Sequence, residues 1–417
     1  MTRGGWVARL APAAALAVVW WVVTKHGPTS DITVSDLYLY GVYADLVRDG
    51  MVPFRDFGFE YPPLAIVPIV AARWLGGPGA HGFEVAFDAL TLAAALALQW
   101  CAGLIAGRRA AWLMVLLPVA CGALVRTHLD IFPAALALGG LALVLRHRPV
   151  WGLAVLGLGA GVKLVPGLIA VVVVAWLLGR GEHRAAWRGA LAFAAVFLVV
   201  LVPFAGQGEV DMVTFHLDRP VQIESGPASV LWALGGTYVT GTNLHPDQFK
   251  SNGLAGPHVD AVTTLFSVVL VLVLAAIVLL AARRPGPREL VLCAFAALLA
   301  FVVLGKVLSP QYIVWLFPFA VIAWCWPAAE GQGRALPRAA ALCVLAAAVL
   351  AQFWFPGRYF RLVAGDGSIA LLVGIRNLLL LAALAALLAA VARAPAIRAR
   401  GAAPARSTSP TAPAASG

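Results

Sequence analysis

The sequence predicts an all-α polytopic membrane protein, on three observations. Of its 417 residues 62% are hydrophobic and only 12% are charged, with a mean hydropathy of +0.90. A soluble domain carries about twice that charged share, roughly 25%. The apolar residues gather in about twelve runs of roughly twenty residues or fewer, the length a helix needs to cross about 30 Å of hydrocarbon. The basic residues fall in short breaks between those runs, so the formal net charge of +11 reads as a topology signal and not as a nucleic-acid footprint.

Taken in order, the first span covers 6–24. A basic residue precedes it but no small-residue cleavage site follows, which favours a retained span over a removed signal peptide. A first outer loop runs over 25–61. The apolar stretch 62–75 opens with Pro62 and Pro63 and is too short for a full crossing, so it predicts a re-entrant or juxtamembrane helix. Spans follow at 84–106, 109–125, 131–146, 150–162, 165–179 and 188–204. A second long outer loop covers 205–260, and the remaining spans are 261–282, 289–305, 311–328, 339–355 and 369–392. Residues 1–393 thus form one membrane domain. The stretch 394–417 is Ala, Pro, Ser, Thr and Arg without periodicity, the composition of a disordered tail.

The spans sort the charges. Arg108 and Arg109, Arg146 and Arg148, Arg180, Arg184 and Arg188, Arg283, Arg284 and Arg288, Arg334 and Arg338, and the tail arginines all fall on one side. By the positive-inside rule that side is the cytoplasm, which puts both termini there in the plasma membrane. Most carboxylates fall on the other. The inner turns are too short for a nucleotide-binding domain, and no GxxxxGK[ST] or strand-linked GxGxxG is present. The five cysteines stand singly in or beside apolar runs and read as small core residues.

Ionisable groups at membrane depth are costly and therefore informative. Glu84, Asp88 and Arg376 are the deep ones. The larger group is a polar ring at the outer helix ends: Asp31, Asp36, Asp56, Glu60, Arg126, His128, Asp130, Lys163, His216, Asp218, Arg219, Gln222, Glu224, Lys306 and Gln311. Carboxylates beside Lys and Arg suit a reaction that takes a proton from an acceptor while neutralising a departing phosphate. Each also has a plainer reading. Asp36 can be a helix-start carboxylate, with Tyr38, Tyr40 and Tyr43 as an interfacial aromatic belt. Asp130 can be a helix N-cap. Lys163 and Lys306 can snorkel. His128 and His216 lack metal-ligand spacing, so no metal site is expected.

Five segments carry a family resemblance: "SDLYLYGVYADLVRDGMVPFRDFGFEYPPLA" from Ser35, "RTHLDIFPAAL" from Arg126, "GVKLVPGL" from Gly161, "FHLDRPVQIES" from Phe215 and "KVLSPQYIVWLFP" from Lys306. With the span order they resemble the GT-C superfamily of membrane glycosyltransferases, and within it glycosyltransferase family 87, over roughly residues 6–392. The resemblance implies a GT-C-type fold and an enzyme that moves a sugar, alpha-mannosyl with inversion, from polyprenyl-phosphate-mannose on the outer face, with little or no use of metal and no cofactor. It assigns the base to Asp36, with Asp31 as rival. Asp56, Glu60 and Tyr61 would shape the acceptor side. Lys163, Arg126, Arg219 and Lys306 are the candidates for the donor phosphate, and His128, Asp130, His216, Gln222, Glu224, Gln311 and Tyr312 complete the substrate-binding set. Partners are the lipid-linked donor, a glycolipid or cell-wall glycan acceptor and membrane lipids, in an actinobacterial envelope. The alternatives are a polyprenyl-phosphate-arabinose-dependent arabinofuranosyltransferase and a secondary transporter. The transporter predicts polar groups at the midplane of two similar halves.

Overall fold

In lipid every backbone polar group must be paired internally, and the apolar runs accordingly fold as helices. The computed structural model describes residues 3–206, 208, 214, 216–235, 239–241, 252–326 and 333–394. The expected tail lies, from residue 395 on, outside the described residues, as does part of the second outer loop.

The chain opens with α1 (Arg3–His26), α2 (Leu37–Arg48), α3 (Ile66–Gly76, entered through a 3-10 turn at Pro63–Ala65) and α4 (Ala80–Ala106). Three short pieces follow, α5 (Arg108–Leu113), α6 (Leu117–Cys121) and α7 (Leu124–Thr127), then α8 (Ile131–Leu145), α9 (Pro149–Val162), α10 (Pro166–Gly179) and α11 (His183–Leu201). The second long loop holds β1 (Val221–Gln222), α12 (Gly226–Ala233), β2 (Val239–Gly241) and β3 (Gly253–Ala255), an antiparallel sheet in the order β1-β3-β2. The bundle is completed by α13 (Val259–Arg283), α14 (Pro287–Leu304), α15 (Ile313–Cys325), α16 (Ala335–Ala351), the short α17 (Tyr359–Val363) and α18 (Gly367–Ala392).

Among the described residues five helical segments are long and apolar enough to cross a membrane: Ala80–Ala106, His183–Phe204, Val259–Arg283, Pro287–Leu304 and Gly367–Ala392. Seven further apolar helices are shorter, at 10–17 residues, and the expected short helix after the first loop is one of them. The segment 109–125 differs from its expected single span. It breaks into α5, a 3-10 turn and α6, with Pro118 lacking an amide donor and Gly122 turning to φ 59. Thr29 explains the break: a Cβ on Gly122 would sit 2.8 Å from the Thr29 Cβ, and Thr29 O accepts the Ala123 amide at 3.0 Å.

At the centre of the bundle, α14 and α15 are buried along nearly their whole length. By contrast α11 and α13 turn apolar faces outward, with Trp187, Leu191 and Val199 on one and Leu265, Val271 and Leu272 on the other. Such continuous apolar surface fits lipid contact. The arginine-bearing turns meet at one end of the bundle. Arg180 reaches Pro285 O, Trp176 donates to Gly286 O, Arg284 reaches Ala392 O and Arg288 reaches Gly333 O.

At the other end α2 is fastened to α3 by Arg73. Arg73 is 5% exposed, and its guanidinium donates to Asp45 Oδ2 at 2.8 Å, to Gly41 O at 3.4 Å and to the Gly77 and Gly79 carbonyls, and lies 5.0 Å over the Phe83 ring. Arg73→Met keeps the apolar stem but removes these charged hydrogen bonds, at an expected cost of about 2–3 kcal/mol. Thermal unfolding of the solubilised protein checks this; an unchanged melting temperature would mean that aromatic packing alone holds α2.

Candidate active site

The first outer loop is a mount built of aromatic rings. Tyr43 stacks on Phe57 and meets Phe59 edge-on, and Phe59 continues to Tyr61 at 5.8 Å between centroids. Tyr61 then faces Tyr40, which packs on Phe87 of α4. Pro62 and Pro63 after Glu60 and Tyr61 restrict the chain at this point, so the two side chains are presented from a stiff turn.

Asp36 stands at the N-cap position of α2, yet its side chain makes no capping bond. Its Oδ2 instead accepts from Tyr40 OH at 3.0 Å and from Tyr61 OH at 3.4 Å, and faces His128 Nε2 at 3.7 Å. Tyr40 is fully buried, and its hydroxyl also accepts the Leu129 amide at 3.3 Å. Asp36 is therefore tied to the segment that carries His128 and Asp130. Glu60 is half-buried nearby; burial and the Asp36 charge raise its carboxyl above the usual range, opposed by Arg219, a Tyr61 hydrogen bond and Lys163.

Asp130 repeats the pattern: it occupies the N-cap of α8 without a capping bond, and it is 2% exposed. Its Oδ1 accepts from Lys163 Nζ at 2.8 Å. Lys163 is where α9 stops, in extended conformation just before Pro166 starts α10. Its ammonium lies 5.0 to 5.9 Å from the Trp315, Tyr312 and Tyr61 rings, an aromatic box that favours a cation.

The second outer loop closes the far wall. Gln222 Oε1 accepts the Leu308 amide, its Nε2 donates to Glu224 Oε2 at 3.0 Å, and its own amide bonds Lys306 O. Glu224 is fully buried, held through Oε1 by Trp354 Nε1 at 2.8 Å and through its backbone carbonyl by Arg376 and Asn377. Arg376, within the continuous helix α18, lies over Trp354 and is engaged with this loop through the Glu224 carbonyl. Lys306 Nζ donates to Leu217 O, and burial with the Arg219 charge lowers its ammonium, against the pull of Asp218. His216 keeps part of its surface open; desolvation on its cavity side, with the charges of Arg219, Lys163 and Lys306 and against a hydrogen bond to the Glu60 backbone, pushes its imidazole down to about 4.

One cavity of about 990 Å³ joins these parts. Asp36, Glu60, Tyr61, His128, Lys163, His216, Arg219, Gln222, Glu224, Lys306, Gln311 and Tyr312 all line it. Four residues expected with them lie elsewhere. Asp31 is exposed and turned back on Thr33, whose hydroxyl and amide hold its carboxyl low. Asp56 is also exposed; it closes its own turn by accepting the Val52 amide and pairs with Arg55, which lowers its carboxyl to about 2. Arg126 is 3% exposed and engaged by Glu84 at 2.8 Å, Asp88 at 3.1 Å and Thr24 O, a group that Lys25 completes. Asp130 reaches the cavity only through Lys163. Sequence reasoning missed Tyr40, read there as belt, and the Asn252–Tyr359 hydrogen bond of 2.9 Å on the far wall. The i,i+4 step from Asp36 to Tyr40 was the available signal for the first. Among the described residues no group of three His, Cys, Asp or Glu side chains is arranged to hold a metal ion.

Comparison with known proteins gives a family model and similar solved structures. A model described as glycosyltransferase family 87 matches residues 59–310, which include Glu60, Lys163 and Lys306 but begin after Asp36. The chain is similar to two crystal structures of ArnT from Cupriavidus metallidurans, one bound to undecaprenyl phosphate and one in the apo state. Identity is 18%, 94% of this chain and 78% of that chain are covered, and the TM-scores are 0.47 and 0.46. No curated protein matches.

The Lys163–Asp130 pair yields a stability test. Lys163→Met leaves a buried carboxylate alone and is expected to cost about 3–5 kcal/mol, whereas adding Asp130→Leu removes both charges and recovers most of the loss. Thermal melting of the single and double variants decides it: a double variant no better than the single would mean that the two residues act separately.

Proposed function

The chain belongs to glycosyltransferase family 87, and from that membership and the chemistry of the cavity we propose that it transfers an alpha-mannosyl unit, with inversion, from a polyprenyl-phosphate donor to a hydroxyl of an envelope glycolipid or glycan. The observation that carries this reading is the shared cavity, in which the Asp36 carboxylate stands with three cationic side chains, Lys163, Arg219 and Lys306.

Each part has a physical task. An acceptor hydroxyl attacks the sugar carbon while the bond to the phosphate oxygen breaks, so a proton must leave the acceptor and negative charge must be received on the phosphate. Asp36, oriented by Tyr40 and Tyr61, takes the proton. Lys163, Arg219 and Lys306 neutralise the charge that develops on the leaving phosphate, in a site where partial exclusion of water strengthens the interaction. Asp130 holds Lys163 at the cavity wall, and the aromatic box keeps the ammonium charged. The same cavity has an apolar flank of Leu164, Leu168, Leu270, Phe301 and Phe360, suited to the first units of a polyprenyl chain whose remainder stays in the bilayer. Glu60, Gln222, Glu224 and Asn252 supply the polar contacts that a sugar or a hydroxylated acceptor needs. The clustering of the arginine-bearing turns at one end supports an inner face there and an outward-facing site at the opposite end.

Two experiments test the reading. Purified protein is given synthetic polyprenyl-phosphate-mannose, radiolabelled in the sugar, with total envelope lipids as acceptor. Labelled product is expected, and Asp36→Asn at equal protein level is expected to lower kcat by about 10²–10⁴-fold. An Asp36→Asn enzyme at full rate removes Asp36 from the base role, and product only with polyprenyl-phosphate-arabinose changes the sugar while keeping the chemistry. For orientation, single cysteines replace Asp49 or Arg184 in a chain freed of its five native cysteines. An impermeant maleimide applied to whole cells is expected to label position 49 and spare 184; the reverse would invert the topology.

A further inference from the structure

His128 is 4% exposed and meets Asp36 through one atom pair, Nε2 to Oδ2 at 3.7 Å. Its other ring nitrogen, Nδ1, lies 2.8 Å from Thr127 Oγ1. That hydroxyl has a single proton and a second partner, the Ala123 carbonyl at 3.0 Å. A carbonyl can only accept. Both contacts are hydrogen bonds only when Thr127 gives its proton to Ala123 O and receives one from Nδ1. The opposite assignment breaks one of them. The hydrogen-bond network thus assigns the proton of neutral His128 to Nδ1 and leaves a lone pair on Nε2, aimed at the carboxylate.

Two acceptors that face each other leave a place for one proton. The backbone around His128 is fixed from both sides, so the ring cannot swing away cheaply. Arg126 is anchored by Glu84, Asp88 and Thr24 O, the Leu129 amide is held by Tyr40, and Asp130 is held by Lys163. The same Tyr40 hydroxyl that receives the Leu129 amide donates to Asp36, which keeps the carboxylate and the imidazole facing each other.

We infer that His128 receives through Nε2 the proton that Asp36 removes from the acceptor hydroxyl, with Thr127 as the residue that positions its ring. The inference rests on the reading of Asp36 as base. In the transfer the acceptor O–H bond breaks and its oxygen bonds the sugar carbon, while the carbon–phosphate-oxygen bond breaks and its electron pair leaves with the phosphate. The proton goes to the Asp36 carboxylate, then across the gap to Nε2 as the two atoms close to about 2.8 Å. Asp36 is a carboxylate again, faced by an imidazolium, and the proton departs to water in the cavity.

The test uses the full-length protein with polyprenyl-phosphate-mannose as the varied substrate and envelope lipids held constant. His128→Gln is expected to lower kcat by about 10- to 100-fold with the donor KM unchanged. Thr127→Val, of similar size but unable to accept from Nδ1, is expected to lower kcat in the same way, and Thr127→Ser to recover most of that loss. Added imidazole is expected to restore activity to His128→Gly in proportion to its concentration and to do nothing for Asp36→Asn. A His128→Gln enzyme with raised donor KM and intact kcat would overturn the inference in favour of a substrate contact. So would equal rates for the two Thr127 variants. An Asp36→Asn enzyme at full rate would instead defeat the underlying base assignment, a result distinguishable from an inactive Asp36→Asn beside fully active His128 variants.

Discussion

A lysine at the junction of two half-length apolar helices needs a counter-charge, and the rest of the site follows from how that need is met. Lys163 ends α9, and its ammonium is held by Asp130 at the start of α8. An unpaired ammonium so largely withdrawn from water would cost several kcal/mol. The pair fixes where α8 meets the α9–α10 junction, and it fixes the segment 126–130, which carries His128 as well. Tyr40 then couples this segment to Asp36. The Asp36 side of the cavity and one of its cations are thereby parts of one connected network.

The network shares a device. Asp36 and Asp130 occupy helix N-cap positions, where a carboxylate ordinarily caps the first amides. Neither does so. Each gives its oxygens to the site and leaves the helix start without its side-chain cap, a local concession of the kind found where function outweighs stability. The cations differ in the same respect. Arg126 is wholly engaged by Glu84, Asp88 and Thr24 and contributes rigidity, while Lys163, Arg219 and Lys306 line the cavity.

Much of this was legible in the sequence, for identifiable reasons. Helices appeared because apolar runs of sufficient length have no other structure open to them in lipid. The polar ring appeared because the arginines alone set the topology, and twelve of the proposed site residues then meet in one cavity. What was not legible depended on contacts distant in the chain. The break in 109–125 comes from Thr29, far earlier in the sequence. Arg126 read as a phosphate ligand because its carboxylate partners lie on α4, well upstream, though the i,i+4 spacing of Glu84 and Asp88 put both on one face. Tyr40 read as an interfacial tyrosine because nothing local says that its ring is buried against Phe87. The three-stranded sheet has strands of two or three residues, too short for any periodicity to register.

The central claim is that one outward-facing cavity brings a base and a set of phosphate-holding cations to a lipid-linked sugar. The most direct measurement is a cryo-electron microscopy structure of the protein with a polyprenyl phosphate bound. The account predicts the phosphate within hydrogen-bond reach of Lys163, Arg219 and Lys306, with the first prenyl units along Leu164, Leu168 and Phe301 and the open phosphate oxygen directed toward Asp36. A phosphate seated among the arginine turns near Arg180 and Arg284, at the other end of the bundle, would contradict it.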